Sequence, residues 1–493
     1  MKHLYLLALA GALLASCDSG GQKGGTADVG ADAPADSINI QIAALPPNEL
    51  PAGSDPQQLA EFAWAEFFAL NWQSSFPKDG KRDSPDNTWS FSSAGAYPPL
   101  VVWETYAHRT ELRPFYGQMQ AFDNAPHYSF GDSTIQAYPG SKASFTLFDN
   151  IDENNEIGSC NLYAHADSLN GQPNPNKRMV LYQAKVNRDE YEYIRANYPT
   201  KARLLKAMTT TAANIKNTMA YYPNGKGQGS CACPPGDSVI CLPCGNTANP
   251  KGGTYTGAME VKTAWRQLTA QDDTSTFFTR KVLYYRQLNG KTYYDNAVFA
   301  LIGLHIIHKT FNYPEFVFAT FEHNSVRQPG QGYRYVLLNK GREIPGSAQP
   351  PHTKPILPLT ERVTAAAHRK LKGLNPNSIW LNYRLAGVKG TPTADSTAAN
   401  FFLANFVVES DKTLADFHGS GIGTPHNFKP NILAPGGLVA GGGCQGCHGV
   451  AQLGGTDFSF LLDTVGKPVK APDIDQTQRL KLLRYIRATA AKR

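Results

Sequence analysis

The stretch KVLYYRQLNGKTYY, residues 281–294, sets the fold class. Two aromatic, β-prone runs are separated there by Asn289-Gly290, and this dipeptide supplies the positive φ angles that a two-residue hairpin turn requires. A hairpin is expected, and with it a β-rich body. Reading outward, Met179 to Val186 and Phe145-Thr146-Leu147-Phe148 are further β-prone runs. Phe316 to His323 alternates, with Phe316, Phe318 and Thr320 on one face and Val317, Ala319 and Phe321 on the other. His323 falls on the second of these faces, which predicts a buried, hydrogen-bonded imidazole. Within Leu301 to Thr310, His305 and His308 would share a face on a helix but point oppositely on a strand. Their β-branched neighbours favour the strand, so joint ligation of one metal is not expected and both read as structural.

Helices flank these strands. Asp55 followed by Pro56 combines a capping side chain with a proline at the first helical position. Leu59, Phe62, Ala63, Phe67 and Leu70 then recur at helical spacing. Asn187 and Glu190 form a capping pair for a helix running to about Asn197. Pro345, Pro350, Pro351, Pro355 and Pro358 crowd one short stretch, and the main domain boundary is expected there. Beyond it, Thr360 to Lys372, Ala398 to Glu409 and Asp475 to about Ala491 read as helices, the first stopped by Gly373. The expected class is α+β. A mixed, β-rich domain over 38–350 is followed by a mostly helical C-terminal domain over 351–493. No internal repeat is found.

The 493 residues suffice for two or three domains, and 41% hydrophobic against 18% charged residues is the balance of a folded globular protein. The net charge of +7 is dilute over this length. No Lys/Arg run is interleaved with aromatics, so a nucleic-acid surface is not expected. Met1-Lys2-His3 is a short basic start, and Leu4 to Ala15 is an apolar run too short to span a membrane. It ends Leu14-Ala15-Ser16-Cys17, which resembles the lipobox of bacterial lipoproteins. Residues 1–17 are thus expected to be a signal peptide, with diacylglycerol on Cys17 holding the chain to a membrane on the periplasmic side of the envelope. The Gly-, Ala- and Asp-rich stretch 18–37 has too little apolar surface to offset its ordering entropy and reads as a flexible tether.

Cys444-Gln445-Gly446-Cys447-His448 is a c-type haem attachment signature. Two thiols three residues apart reach the two vinyl groups on one edge of a porphyrin, and the adjacent imidazole meets the iron. Gly441-Gly442-Gly443 lets the backbone pass close to the macrocycle. A redox dithiol would need a βαβ context, and a zinc site would need a second ligand pair nearby; neither accompanies this motif. One covalent haem c is expected, with thioethers at Cys444 and Cys447 and His448 as proximal ligand. No methionine follows His448, the last in the chain being Met259. The distal ligand is expected from upstream, or the position is open. His418 and His426 are nearest in sequence, with His368 and His352 farther off.

Cys231, Cys233, Cys241 and Cys244 cluster in a Pro/Gly-rich loop, with Cys160 alone upstream. Disulfides that staple the loop are the default in an oxidising compartment, and a four-thiolate zinc site is the alternative. Glu260, Lys262 and Arg266 around Trp265 read as a salt-bridged or solvated face rather than a working network.

Several segments together resemble an uncharacterised group of bacterial cytochrome c family proteins. They are Ala63-Trp64 to Asn71-Trp72, Val102-Trp103-Glu104-Thr105-Tyr106, Glu260 to Trp265, Gly303 to Ile306, Ala319 to His323, and Cys444 to Gly449 followed by Asp457-Phe458-Ser459-Phe460. The loop from Cys231 to Cys244 is not a feature of that group. The resemblance implies a haem protein without specifying a substrate, and it carries roles only for Cys444, Cys447 and His448. The expected activity is electron transfer at the membrane surface. A basic end that includes Lys467, Lys470, Arg479, Lys481, Arg484 and Arg487 reads either as a solvated helix face, the commoner case, or as a surface that steers an acidic redox partner. A body of roughly 300 residues exceeds what a simple carrier needs. The alternatives are therefore a peroxidase- or oxygenase-like enzyme with its substrate site in 38–350, or a haem-based ligand sensor.

Overall fold

The computed structural model describes residues 37–463 and 471–472, apart from 94, 113–117, 129, 131–134, 155–159, 173, 219–230, 232–238, 328–332, 340–341, 349–357, 394–402, 404, 406, 409–430, 435–436 and 441–442. In chain order its elements are α1 (Pro56–Leu70), α2 (Phe76–Asp79), β1 (Ala107–His108), α3 (Arg109–Leu112), β2 (Gln136–Ala137), β3 (Asn150–Ile151), β4 (Cys160–Ala164), β5 (Arg178–Val186), α4 (Arg188–Asn197) and α5 (Lys201–Thr218). There follow β6 (Met259–Gln267), β7 (Thr279–Leu288), β8 (Lys291–His308), β9 (Val317–His323), β10 (Arg334–Asn339), β11 (Arg342–Ala348), α6 (Pro358–Leu374) and β12 (Tyr383–Lys389). The last are β13 (Asn431–Ala434), β14 (Gly437–Ala440), α7 (Gly443–Gly454) and α8 (Phe460–Asp463).

The hairpin forms where 281–294 places it. β7 and β8 pair antiparallel, and Asn289 and Gly290 take φ values of 50° and 76°. β8 is 18 residues long and is the axis of a large curled sheet of 12 strands. Its first half pairs with β7, its second half with β9, and β6 runs along its other edge. β12 extends the sheet beyond β9, and β5, β4, β10 and β11 extend it beyond β6. Every pairing is antiparallel except β2 with β8 and β3 with β7.

Both faces of the sheet's centre are covered, which is why all seven residues of β9 are buried despite their alternation. The first face takes α1 and α6. Asp55 accepts from the Gln58 amide at 2.8 Å and Gln58 reciprocates, closing the capping box that starts α1. Leu59, Phe62, Ala63, Phe67 and Leu70 are all buried, and the Phe67 ring lies 4.4 Å from that of Phe321 on β9. Trp64, Trp103, Trp265 and Trp380 belong to the same core cluster. The second face takes α4, α5 and α7, through Tyr191, Ile194, Leu204, Met208 and Cys444 packed against Ala184, Val186, Ile307 and Phe318.

Three expectations need correcting. The proline-rich stretch does not separate two domains: the described residues from Ile38 onward form one compact unit, because α6 packs on α1 and β12 pairs with β9. Residues 145–148 form no strand; Phe145 instead turns its ring onto Tyr294, 4.7 Å away. Of the helix expected over 398–409, the described residues Leu403, Asn405, Val407 and Val408 are not helical. The segments 1–36, 464–470 and 473–493, and with them Cys17, the expected tether up to Asp36 and the expected basic C-terminal helix, lie outside the described residues.

Candidate haem site

α7 carries the signature. On a helix, positions i, i+3 and i+4 share a face, so Cys444, Cys447 and His448 project together. Both cysteines are buried and neither is in a disulfide. The Cys444 amide donates to Leu403 O at 2.7 Å, and its thiol meets the same oxygen at 3.0 Å. Gln445 reaches from α7 to the ends of β9 and β12, donating to Gly390 O at 3.1 Å and Phe316 O at 3.3 Å. At the other end of α7, Gly455 has φ 89°, and a Cβ there would stand 2.0 Å from Met208 O on α5. Only glycine permits that approach.

His448 is oriented from its own C-terminal side. Its Nδ1 lies 2.6 Å from Phe458 O. A carbonyl can only accept, so Nδ1 donates, and in the neutral ring the lone pair is then on Nε2. Asp457 and Phe458 have φ values of 52° and 68°, a left-handed pair without glycine. Such backbone costs of order 1–3 kcal/mol per residue and persists where its surroundings hold it. Here Asp457 accepts from Lys309 Nζ at 2.5 Å and from the Leu242 amide at 2.6 Å. The strained turn thereby aims the Phe458 carbonyl at His448. The rings of Phe318 and Phe460 each stand 5.0 Å from the His448 ring.

The second face beneath α7 is unlike the first. β register puts Glu260 and Lys262 of β6, Gly303 and His305 of β8, Thr320 and Glu322 of β9, and Gly387 and Lys389 of β12 on it. A Cβ on Gly387 would lie 2.3 Å from Leu403 Cδ1, and one on Gly303 would lie 2.7 Å from Val408 Cγ2. The two glycines thus seat the 403–408 segment that anchors Cys444. Asn405 pins it further, donating to Thr320 Oγ1 at 3.0 Å. Burial pulls Lys389 down to about 8, against the opposing effect of Cys444 beside it. Burial, with the charges of Lys262 and His448 adding, holds His305 well below the usual histidine range, so its imidazole is neutral. Glu190 on α4 is pushed well above the carboxylate range by burial and by Glu260 beside it. Burial likewise raises Glu315, near Lys309 and Asp457, to about 7.

The remaining candidates separate cleanly. His305 and His308 do lie on one strand and point to opposite faces; His308 contacts Glu66 of α1 at 2.6 Å and Thr256 O at 2.7 Å. His323 is buried and hydrogen-bonded to Ser325 Oγ and Thr276 O. His368 sits on the first face, its Nε2 2.7 Å from Tyr383 O, so it does not approach α7. His352, His418 and His426 lie outside the described residues. Cys231 and Cys244 are joined by a disulfide with Cα atoms 6.0 Å apart. Cys241 is disulfide-bonded too, while Cys233 and the Cys160 side chain lie outside the described set. Arg266 is buried in an ion pair with Asp272. Two features had no sequence-level role, the strained Asp457-Phe458 turn and the place of His305. The first has no signal in residue type, whereas strand parity already separated His305 from His308.

Comparisons with protein-family models, with curated proteins and with solved structures found no match to this chain.

Proposed function

We propose that the chain is a c-type cytochrome of the bacterial envelope, anchored through Cys17 and transferring single electrons to and from a partner. One observation carries this reading. Two buried thiols that are not bonded to each other stand one helical turn apart, beside an imidazole whose Nδ1 is held by a backbone carbonyl. That donor set fits haem c: two thiols for thioether bonds and an imidazole whose Nδ1 is taken by a carbonyl, leaving Nε2 to face the iron. Once bound, the haem would supply a one-electron iron couple.

The chain's own part is orientation and exclusion of water. Phe458 O fixes the His448 tautomer and raises the basicity of its Nε2. Phe318 and Phe460 flank the ring and keep its surroundings apolar. Leu403 and Gln445 hold α7 to the sheet, so little reorganisation accompanies a change of charge. The basic C-terminal end, expected to meet an acidic partner, belongs to the same proposal.

Expression of the full chain in a host that exports proteins and attaches haem tests it. The expected product keeps its pigment through denaturing electrophoresis and acidified acetone, and shows a reversible one-electron couple. A colourless product, or one whose pigment extracts, overturns the reading. Turnover of peroxide or of an organic substrate would replace the carrier with an enzyme.

A further inference from the structure

We infer that the disulfide-stapled segment from Ile240 to Gly245 is a positioning element for His448, acting through Asp457 and Phe458 on the reduction potential of the haem. This rests on the haem reading above and gives a task to the cysteine loop, which that reading leaves unused.

The segment is tied down along its whole length. The Ile240 amide donates to Thr211 Oγ1 of α5 at 2.8 Å, and the Cys241 amide donates to Tyr193 Oη of α4 at 3.0 Å. Pro243 O receives the Ala258 amide at 2.7 Å, and the Gly245 amide donates to Lys309 O, just past β8, at 2.8 Å. The disulfide joins Cys244 to Cys231, whose Sγ lies 3.5 Å from Thr310 O. Backbones converge here too closely for a side chain. A Cβ on Gly257 would stand 2.2 Å from Lys309 O and 2.6 Å from the Gly245 nitrogen.

Two arms leave this junction and end on one carboxylate oxygen. The Leu242 amide reaches Asp457 Oδ2 at 2.6 Å, and Lys309 Nζ reaches the same atom at 2.5 Å. Asp457 and Phe458 both have positive φ, and such backbone persists only where its surroundings hold it. The arms come from 215 and 148 residues away in the chain, so the hold is tertiary rather than local. Phe458 O then accepts the Nδ1 proton of His448 at 2.6 Å. This hydrogen bond makes Nε2 more basic, and a more basic ligand favours ferric iron. Slack in the stapled loop would loosen the turn, weaken that bond and shift the equilibrium towards ferrous iron.

The test is a potentiometric titration of the full-length chain carrying its covalent haem. Cys231→Ala with Cys244→Ala is expected to keep the haem and raise the midpoint potential. The expected shift towards ferrous iron is about tenfold, or about 59 mV for one electron. Asp457→Asn and Asp457→Ala give a second reading that leaves the disulfide in place. Both remove one negative charge, but asparagine keeps an oxygen for the Leu242 amide and tolerates positive φ. Asp457→Ala is therefore expected to lie above Asp457→Asn by a similar shift. If the double cysteine variant fails to fold, this pair decides. An unmoved potential in a folded double cysteine variant overturns the inference, as do equal potentials in the two Asp457 variants. Those results leave the covalent haem in place and so spare the functional reading. A wild type without covalent pigment overturns both.

Discussion

The two faces of the central sheet are built from alternate residues of the same strands, yet they differ in kind. The face under α1 and α6 is largely aromatic: Trp64, Phe67, Phe321 and Trp380 fill it, and its buried polar pairs include Glu66 with His308 and Glu104 with Arg280. The face under α7 carries His305, Lys262, Glu260 and Lys389 among small residues such as Gly303 and Gly387. It is roofed by a helix held in place by a strained turn. Burying ionisable groups costs free energy that an apolar core would not spend.

The comparison is broken most severely at α7. Cys444→Ser with Cys447→Ser is expected to abolish covalent pigment while leaving the first face intact. Haem staining after denaturing electrophoresis, beside far-ultraviolet circular dichroism, measures both. Loss of fold along with pigment would mean that the two faces are not separable.

Next in size is one polar pair of the aromatic face. His308→Ala leaves Glu66 buried without its partner, and removing one member of such a pair costs about 3 kcal/mol. Urea unfolding should show that loss while the haem spectrum stays unchanged. An altered spectrum in His308→Ala would erase the distinction between the faces.

Gly387→Ala is a smaller perturbation. The added methyl would meet Leu403 at 2.3 Å, and overpacking of this sort costs about 1–3 kcal/mol. Because Leu403 O receives the Cys444 amide, haem loading should fall as well. Wild-type loading in a destabilised Gly387→Ala would show that Leu403 does not set the position of Cys444.

The smallest effect concerns pH. Glu315 is raised from 4.5 to about 7 in the folded chain by burial, with Lys309 opposing and Asp457 adding. It binds its proton more tightly folded than unfolded. Its contribution is therefore complete below about pH 4.5 and lost as pH rises through about 7. Glu315→Gln should flatten the decline in unfolding midpoint across that window. Parallel wild-type and variant profiles would remove Glu315 from the polar account of the α7 face.

Much of this was legible from local sequence. The Asn289-Gly290 hairpin, the Asp55 cap, and the β5 and β9 strands follow from backbone preferences within a few residues, and the structure has each of them. Asn187 also caps α4 at the expected place, accepting from the Glu190 amide at 3.2 Å. The signature of Cys444, Cys447 and His448 is local for the same reason, since helical spacing alone puts the three on one side of α7. The proline-rich stretch read as a linker because proline reports only on its own backbone. Whether β12 beyond it returns to pair with β9 is decided by residues far away in the chain.

Residue order by itself therefore determined most of the local elements, the shared helical face of Cys444, Cys447 and His448, and the fact that His305 and His308 point apart. Only the tertiary structure decided which face each of them serves. Parity along a strand says that two side chains diverge. It cannot say what packs on either side, because burial and partners are set by α1 and α7, which lie at opposite ends of the chain.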